Sequence, residues 1–193
     1  MEHIATIAKL LGSLFYYPVT HKNNQLMCHT LRQSEGWQES PFAPVLVAIE
    51  QESAAQLADD FQQLFEGCDV MPAPPWGSVY LDREQVIFGE STIRFRHFLK
   101  DNQLALDTGM REPEDQFGLM LMALAKLADE QDGLSVDRLL QTHLLPWAYR
   151  YLTLVQEHAR TQTYCLLADI ARQWLQLVQE ERGITAENLK VYF

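Results

Sequence analysis

The chain has 193 residues, with 15 Lys and Arg against 26 Asp and Glu, so its formal net charge is −11 with His neutral. This length suits one domain of ordinary size or two small ones, and an apolar fraction of 47% is enough to bury a full core. Because an acidic surface repels phosphate backbones and anionic lipid headgroups, we expect no nucleic-acid partner and an attraction for cationic ligands.

Apolar residues at helical spacing dominate the first third of the chain. A three- and four-residue spacing over residues 4–15 predicts a first helix, which Pro18 ends. A short second helix is predicted over residues 24–34. Residues 44–65 predict one or two further helices that end before Gly67.

Prolines interrupt this pattern in the segment CDVMPAPPWGS, residues 68–78. Three prolines fix φ and remove backbone donors, so regular structure cannot continue through the segment. Two short apolar runs follow, residues 79–81 and 86–88, and they leave a small β-hairpin open as an interpretation. Ser91 or Thr92 then caps a predicted helix.

Helical signals return in the second half of the chain. Pro113 lies among acidic residues, as a first helical residue often does, and predicts a helix from that point. A helix from Ser135 is expected to kink or break at Pro146 and to continue to Arg160. The last helix is predicted over residues 163–180.

The sum of these elements predicts an all-α fold with roughly eight or more helices. We expect residues 1–193 to form a single globular helical domain. The polar segment of residues 101–112 separates two helical halves, and it predicts either a hinge or a plain loop.

Signals of catalysis, metal binding and membrane insertion are missing from the sequence. It holds no H-E-x-x-H, no G-x-S-x-G and no phosphate-binding glycine loop, so we predict no catalytic residue, no metal and no cofactor. Three distant cysteines, Cys28, Cys68 and Cys165, are typical of a reduced cytoplasmic protein. The longest uncharged run is about a dozen residues, too short for stable membrane insertion.

Six motifs span most of the chain. They are LLGSLFYYP at 10–18, LFEG at 64–67, PAPPWGSVYLDRE at 72–84, FGEST at 88–92, EPEDQFG at 112–118 and LLPWAYRYL at 144–152. In content and order they resemble the TorD/DmsD family of cytoplasmic chaperones for molybdenum-containing redox enzymes, most closely its dimethyl sulfoxide reductase branch.

The resemblance implies a binding protein and not an enzyme. Its expected partner is the twin-arginine signal peptide, or leader, of a reductase catalytic subunit, held back from export until cofactor insertion and folding are complete. Components of the Tat translocase are further expected partners, and the chain is expected to be a monomer or a domain-swapped dimer. Two alternatives stay open: a chaperone for a different molybdoenzyme, and a nucleotide-dependent switch or enzyme.

The same resemblance implies a set of leader-binding positions. Glu112 is added because guanidinium groups pair with carboxylates, and Gln116 stands where the family commonly has a titratable histidine, so no pH-dependent role is expected there. The predicted peptide-binding residues are Tyr16, Leu64, Phe65, Pro75, Trp76, Arg83, Glu112, Asp115 and Gln116.

Structural roles remain open for three of these positions. Trp76 could instead be buried in the core as a loop aromatic. Asp115 could simply stabilise a helix start, and Arg83 could form a surface ion pair with Asp82 or Glu84.

Overall fold

A computed structural model describes residues 1–67, 70–106 and 112–193, and all regular structure within these ranges is helical. A single isolated antiparallel bridge, between Trp76 and Gln116, is the only β-type pairing among them. The all-α fold class with more than eight helices is therefore confirmed. Residues 107–111, in the predicted hinge, lie outside the described residues, so the hinge stays a prediction.

The helices agree with most of the predicted segments. In chain order they are α1 Glu2–Tyr16, α2 Lys22–Gln33, α3 Ala43–Gln51, α4 Ala54–Phe61, α5 Gly77–Leu81, α6 Glu90–Asp101, α7 Phe117–Asp129, α8 Gly133–Arg138, α9 Leu145–His158 and α10 Gln162–Arg182. A 3-10 turn spans Trp37–Glu39, and π-helical turns span Gln62–Glu66 after α4 and Leu139–Leu144 before α9.

Three local predictions are wrong. Neither Ser91 nor Thr92 caps α6, because Gly89 is its N-cap and both residues lie inside the helix. The hairpin interpretation fails because residues 77–81 form α5, whose second residue, Ser78, donates its backbone N–H to the Asp115 carboxylate. The helix predicted from Pro113 begins only at Phe117, because Gln116 supplies its N-cap. The errors at α5 and α7 both involve the pairing of residues 75–77 with residues 115–117, which are distant in sequence.

The chain divides into two compact units. The first unit comprises Met1–Tyr16, Pro75–Tyr149 and Leu177–Phe193, and the second comprises Tyr17–Pro74 and Arg150–Gln176. The boundary of a single domain over residues 1–193 stays a prediction.

In the first unit, α1 and α7 pack closely at two glycines. A Cβ atom on Gly118 would lie 2.6 Å from the carbonyl oxygen of Gly12 and 2.9 Å from the backbone nitrogen of Tyr16. Real side chains do not tolerate such distances, so this contact requires glycine. It places the end of α1 directly against the start of α7.

Trp147 fills the core of the first unit and is 1% exposed. Its ring stacks on Tyr80 with centroids 5.2 Å apart and meets the edge of Phe117 at 6.0 Å. Its indole N–H donates to the carbonyl oxygen of His143 at 2.9 Å, so its polar atom is satisfied. A Cβ on Gly77 would lie 2.9 Å from the indole nitrogen, so α5 can begin here only with glycine.

In the second unit an aromatic cluster surrounds Tyr164. Its ring lies 5.9 Å from Phe61 and 5.7 Å from Phe65, measured between centroids. The buried Asp60 carboxylate accepts hydrogen bonds from the backbone N–H and the hydroxyl of Thr161, at 2.8 and 2.6 Å, which fixes the start of α10. Within the ranges that the structure describes, no helix is long and apolar enough to cross a bilayer.

Candidate peptide-binding site

The proline-aromatic loop pairs with the acidic segment that precedes α7. The backbone N–H of Phe117 donates to the carbonyl oxygen of Pro75 at 2.8 Å, and the N–H of Gly77 donates to that of Asp115 at 3.0 Å. Trp76 therefore lies opposite Gln116. Two motifs that are almost forty residues apart in sequence form one surface of the first unit.

Trp76 presents its ring at this surface. Its indole N–H donates to Glu112 Oε1 at 2.6 Å, and both side chains are half-buried. Trp147, and not Trp76, is the tryptophan that fills the core of this unit. The structure thus places an aromatic face and a carboxylate side by side, with part of each accessible to a ligand.

Asp115 lies beneath the surface and is only 2% exposed. Its Oδ2 accepts the backbone N–H of Ser78 at 2.6 Å, which ties it to the first turn of α5. The hydroxyls of Ser78 and Thr92 lie beside the carboxylate, although neither makes a hydrogen bond of normal geometry with a described residue. Burial raises the pKa of Asp115, and these neighbours act in the opposite direction. Asp115 therefore positions α5.

Gln116 is also buried, and both ends of its amide make hydrogen bonds. The Oε1 atom accepts the backbone N–H of Leu119 at 2.9 Å, and Nε2 donates to the carbonyl oxygen of Phe15 at 3.1 Å. These bonds cap α7 and join it to the end of α1, beside the half-buried Tyr16. Like a neutral imidazole, an amide supplies one acceptor and a donor, so the position can keep a structural role without a titratable group.

Two other charged residues lie near the site, Glu114 and Arg83, and they differ in whether they form an ion pair. Glu114 forms a bidentate pair with Arg96, with both N–O distances at 2.7 Å. Burial acts to raise the pKa of Glu114, but the hydrogen bond and charge of Arg96 outweigh it, so the pKa is lowered. Arg83 is exposed just after α5 and forms no ion pair with Glu84 or with Asp82, whose carboxylate binds Ser91.

The predicted site residues divide between the two units. Leu64 and Phe65 belong to the second unit and are buried there. Arg83 lies in the first unit beyond α5. The structure brings together the remaining residues in the first unit: Tyr16, Pro75, Trp76, Glu112, Asp115 and Gln116.

Ser78 is not predicted as a site residue from the sequence, yet its backbone N–H donates to the Asp115 carboxylate across 37 positions. No local pattern announces a contact of this separation. His143 is likewise not predicted as a site residue; it lines a narrow cleft together with Asp115 and packs against Phe95 and Phe98 with ring centroids 5.3 and 5.0 Å away. Burial, followed by the charges of two neighbouring arginines, lowers the pKa of His143 to about 4, so this imidazole is neutral at pH 7.

In the part of the chain that the structure describes, no three His, Cys, Asp or Glu side chains converge as metal ligands would. That no metal or cofactor is bound stays a prediction from the sequence.

Comparison with known proteins points to one family. A sequence profile described as "Nitrate reductase delta subunit" matches residues 31–153. A "Tat proofreading chaperone DmsD" of Salmonella paratyphi A is 37% identical over 184 residues, which cover 90% of this chain and 89% of that protein. A "Probable Tat proofreading chaperone DmsD" of Haemophilus influenzae is 34% identical over 199 residues, covering 100% of this chain and 98% of that protein.

A solved structure is also similar. The crystal structure of a protein from Archaeoglobus fulgidus, described as a redox enzyme maturation protein, has a TM-score of 0.63 and 22% sequence identity, and the match covers 91% of this chain and 93% of that one. This likeness supports the fold alone. The profile covers most of the chain and the relatives match nearly all of it, so the chain belongs to the nitrate reductase delta subunit family, the family of the TorD and DmsD chaperones. The resemblance found in the sequence is confirmed.

Proposed function

We propose that this protein is a chaperone that binds the twin-arginine leader of a molybdoenzyme catalytic subunit and supports maturation of that subunit before Tat export. Relatives that match most of the chain are described as Tat proofreading chaperones. A dimethyl sulfoxide reductase type of client fits the branch of these relatives. We expect the protein to act in the cytoplasm and without catalysis.

The contact between Trp76 and Glu112 carries this proposal. A guanidinium group binds a carboxylate through planar, bidentate hydrogen bonds and also stacks on an aromatic face. The indole and the carboxylate are joined at 2.6 Å and both are partly exposed, so one arginine can contact the two together. The net charge of −11 favours the approach of such a basic peptide.

The buried neighbours hold this pair in place. Asp115 fixes the start of α5 through Ser78, and Gln116 fixes the start of α7 through Leu119. The backbone pairing of residues 75–77 with 115–117 connects these two helix starts. Leader binding by Asp115 and Gln116 is therefore proposed to be indirect, through the position of Trp76 and Glu112.

Calorimetric titration tests the proposal. A synthetic twin-arginine reductase leader should bind the wild-type protein with saturation, and Glu112→Gln should weaken this binding because a neutral amide cannot form a charged bidentate pair. Glu180→Gln, which changes an exposed carboxylate on α10 in the first unit, is the matched control and should leave the affinity unchanged. Absence of saturable binding to the wild type would refute the proposal.

A parallel titration with GTP tests the alternative interpretation, a nucleotide-dependent switch or enzyme. We expect no response to GTP, because the sequence has no phosphate-binding glycine loop. A GTP response without leader binding would favour a nucleotide-dependent switch. Capture of client subunits from anaerobically grown cells would then show whether the client is a dimethyl sulfoxide reductase or a different molybdoenzyme. Tat translocase components as partners, and a monomeric or domain-swapped state, stay predictions.

A further inference from the structure

The segment that follows α10, residues 184–193, has no regular secondary structure, yet it packs on the first unit in a defined way. Gly183, directly after α10, has a φ of 64°, and the N–H of Ile184 donates back to the carbonyl oxygen of Gln179 at 2.9 Å. A turn of this kind closes a helix and redirects the chain. We call residues 184–193 the strap.

The first part of the strap is bound to the π-helical turn Leu139–Leu144. The backbone N–H of Glu187 donates to the carbonyl oxygen of Gln141 at 3.0 Å, and the Thr142 hydroxyl donates to Glu187 Oε1 at 2.9 Å. This turn leads directly into α9, which carries the buried Trp147. The strap is therefore anchored on an element that belongs to the core of the first unit.

The second part of the strap is bound to α5 and to the loop that follows it. The backbone N–H of Tyr192 donates to the carbonyl oxygen of Tyr80 at 2.8 Å, and the Tyr192 carbonyl oxygen accepts the Gln85 amide at 2.5 Å. The Phe193 ring packs against that of Tyr80 in a T-shaped arrangement, with centroids 5.4 Å apart. Carbonyl groups in the last turn of a helix have no partner within the helix, so the strap supplies one that α5 cannot supply itself.

The helix α5 depends on contacts of this kind. Its five residues form little more than one turn, and a helix of that length is not stable alone in water. A backbone hydrogen bond from the Val79 N–H to the carbonyl oxygen of Trp76, at 3.1 Å, joins this turn to Trp76. The strap binds one residue further along, at Tyr80. Because helix formation is cooperative, loss of the strap loosens the whole turn and with it the backbone of Trp76.

We propose that the strap positions α5, and with it Trp76, for binding of the twin-arginine leader, and that Tyr192 and Phe193 are its positioning residues. This inference rests on the proposed function, and it adds residues that act on the leader site without contacting the leader. Coupling between two sites is reciprocal, so a leader bound at Trp76 and Glu112 also stabilises the attachment of the strap.

Calorimetry with a synthetic twin-arginine reductase leader gives the first readout. Phe193→Ala removes the ring that packs on Tyr80 and should weaken leader binding about two- to ten-fold, the range that an aromatic pair contributes. Phe193→Tyr retains the ring and should bind as the wild type does. Gln85→Asn shortens the side chain that reaches the Tyr192 carbonyl oxygen, tolerates the φ of 53° at this position, and should also weaken binding. Asn188→Ala changes an exposed side chain of the strap and is the control, with no expected change.

Hydrogen–deuterium exchange, measured on the folded protein by mass spectrometry, separates positioning from a merely structural role. Without the leader, Phe193→Ala should exchange the amides of residues 77–81 faster than the wild type does. In the wild type, saturating leader should slow exchange over residues 184–193, and an equal rate with and without the leader would refute the proposal. Gln85→Asn changes an exposed side chain and carries both measurements if Phe193→Ala does not fold.

Three other outcomes contradict the positioning role while leaving the proposed function intact. Tighter leader binding by Phe193→Ala would show that the strap competes with the leader. Weaker binding with unchanged exchange of residues 77–81 would show that the strap contacts the leader directly. Faster exchange of residues 77–81 with unchanged affinity would make the strap a structural element only. Absence of leader binding by the wild type would refute the proposed function itself, and this inference with it.

Discussion

Substitutions at Asp115 distinguish a structural role of its side chain from direct contact with the leader. Asp115→Ala removes the acceptor of the Ser78 N–H, which is bound at 2.6 Å. A buried donor left without a partner costs about 1–3 kcal/mol, and removal of a buried carboxylate recovers part of this cost, because a buried charge is itself unfavourable. We therefore expect the free energy of unfolding to fall by about 2 kcal/mol. Asp115→Asn keeps an oxygen acceptor and should lose about half as much.

Urea unfolding at pH 7, monitored by circular dichroism, measures this loss, and calorimetry with the leader measures binding. Asp59→Ala, at an exposed carboxylate on α4, is the control and should leave both unchanged. If Asp115→Ala were as stable as the wild type but unable to bind the leader, the side chain would contact the leader directly. That result would refute the positioning role.

The pH dependence of the unfolding free energy provides a second test of the buried state of Asp115. Burial raises its pKa in the folded state, so the folded protein binds this proton more tightly than the unfolded chain does. The destabilising effect of the charged carboxylate is then full above the folded pKa and is relieved as the pH falls through it. The unfolding free energy of the wild type, relative to Asp115→Asn, should therefore increase as the pH is lowered from neutral. A constant difference would contradict the raised pKa.

Three further changes have defined outcomes. His143 has its pKa lowered from 6.5 to about 4, so its stabilising contribution, about 3 kcal/mol, is present above pH 6.5 and is lost as the pH falls to about 4. The unfolding free energy of His143→Phe, measured with urea over this pH range, should not show that loss. A pH profile identical to that of the wild type would contradict the lowered pKa. Gly118→Ala places a Cβ 2.6 Å from the Gly12 carbonyl oxygen and should lower the unfolding free energy by about 1–3 kcal/mol; an unchanged urea midpoint would show that α1 and α7 can separate freely. Trp76→Ala should weaken leader binding by about 1 kcal/mol or more with its far-UV circular dichroism spectrum intact, whereas unfolding of this variant would assign Trp76 to the core.

The helices could be predicted because their signals are local. In α4, Leu57 and Phe61 recur at four-residue spacing, and Ser53 with Gln56 forms a capping box. The last helix was predicted over residues 163–180 and is observed at Gln162–Arg182. Periodicity and capping both depend on residues within one or two turns, so the sequence alone reveals them.

Contacts between distant segments could not be predicted in this way. Pro113 and its acidic neighbours have the composition of a helix start, yet α7 begins at Phe117, because residues 115–117 pair with the loop at 75–77. The apolar run at 79–81 is compatible with a strand, and only the Ser78–Asp115 bond shows why it is part of a helix.

At the candidate site, too, the sequence reveals some features and the structure alone reveals others. The resemblance selected Trp76 and the motif at 112–118, and the structure joins them in the first unit. Glu112 is half-buried and bonded to Trp76, whereas Asp115 is buried and bonded to Ser78. Sequence motifs carry no such information, so the roles of the two carboxylates emerge only from the structure.

The most direct test of the central claim compares two leaders that differ only in their twin arginines. A Lys-Lys leader should bind the wild-type protein more weakly than the Arg-Arg leader, because an ammonium group cannot form a planar bidentate pair with Glu112 or stack as well on Trp76. Glu112→Gln should reduce this difference, and Glu180→Gln should preserve it. Equal affinity of the wild type for both leaders in calorimetry would contradict recognition of the arginines by this site.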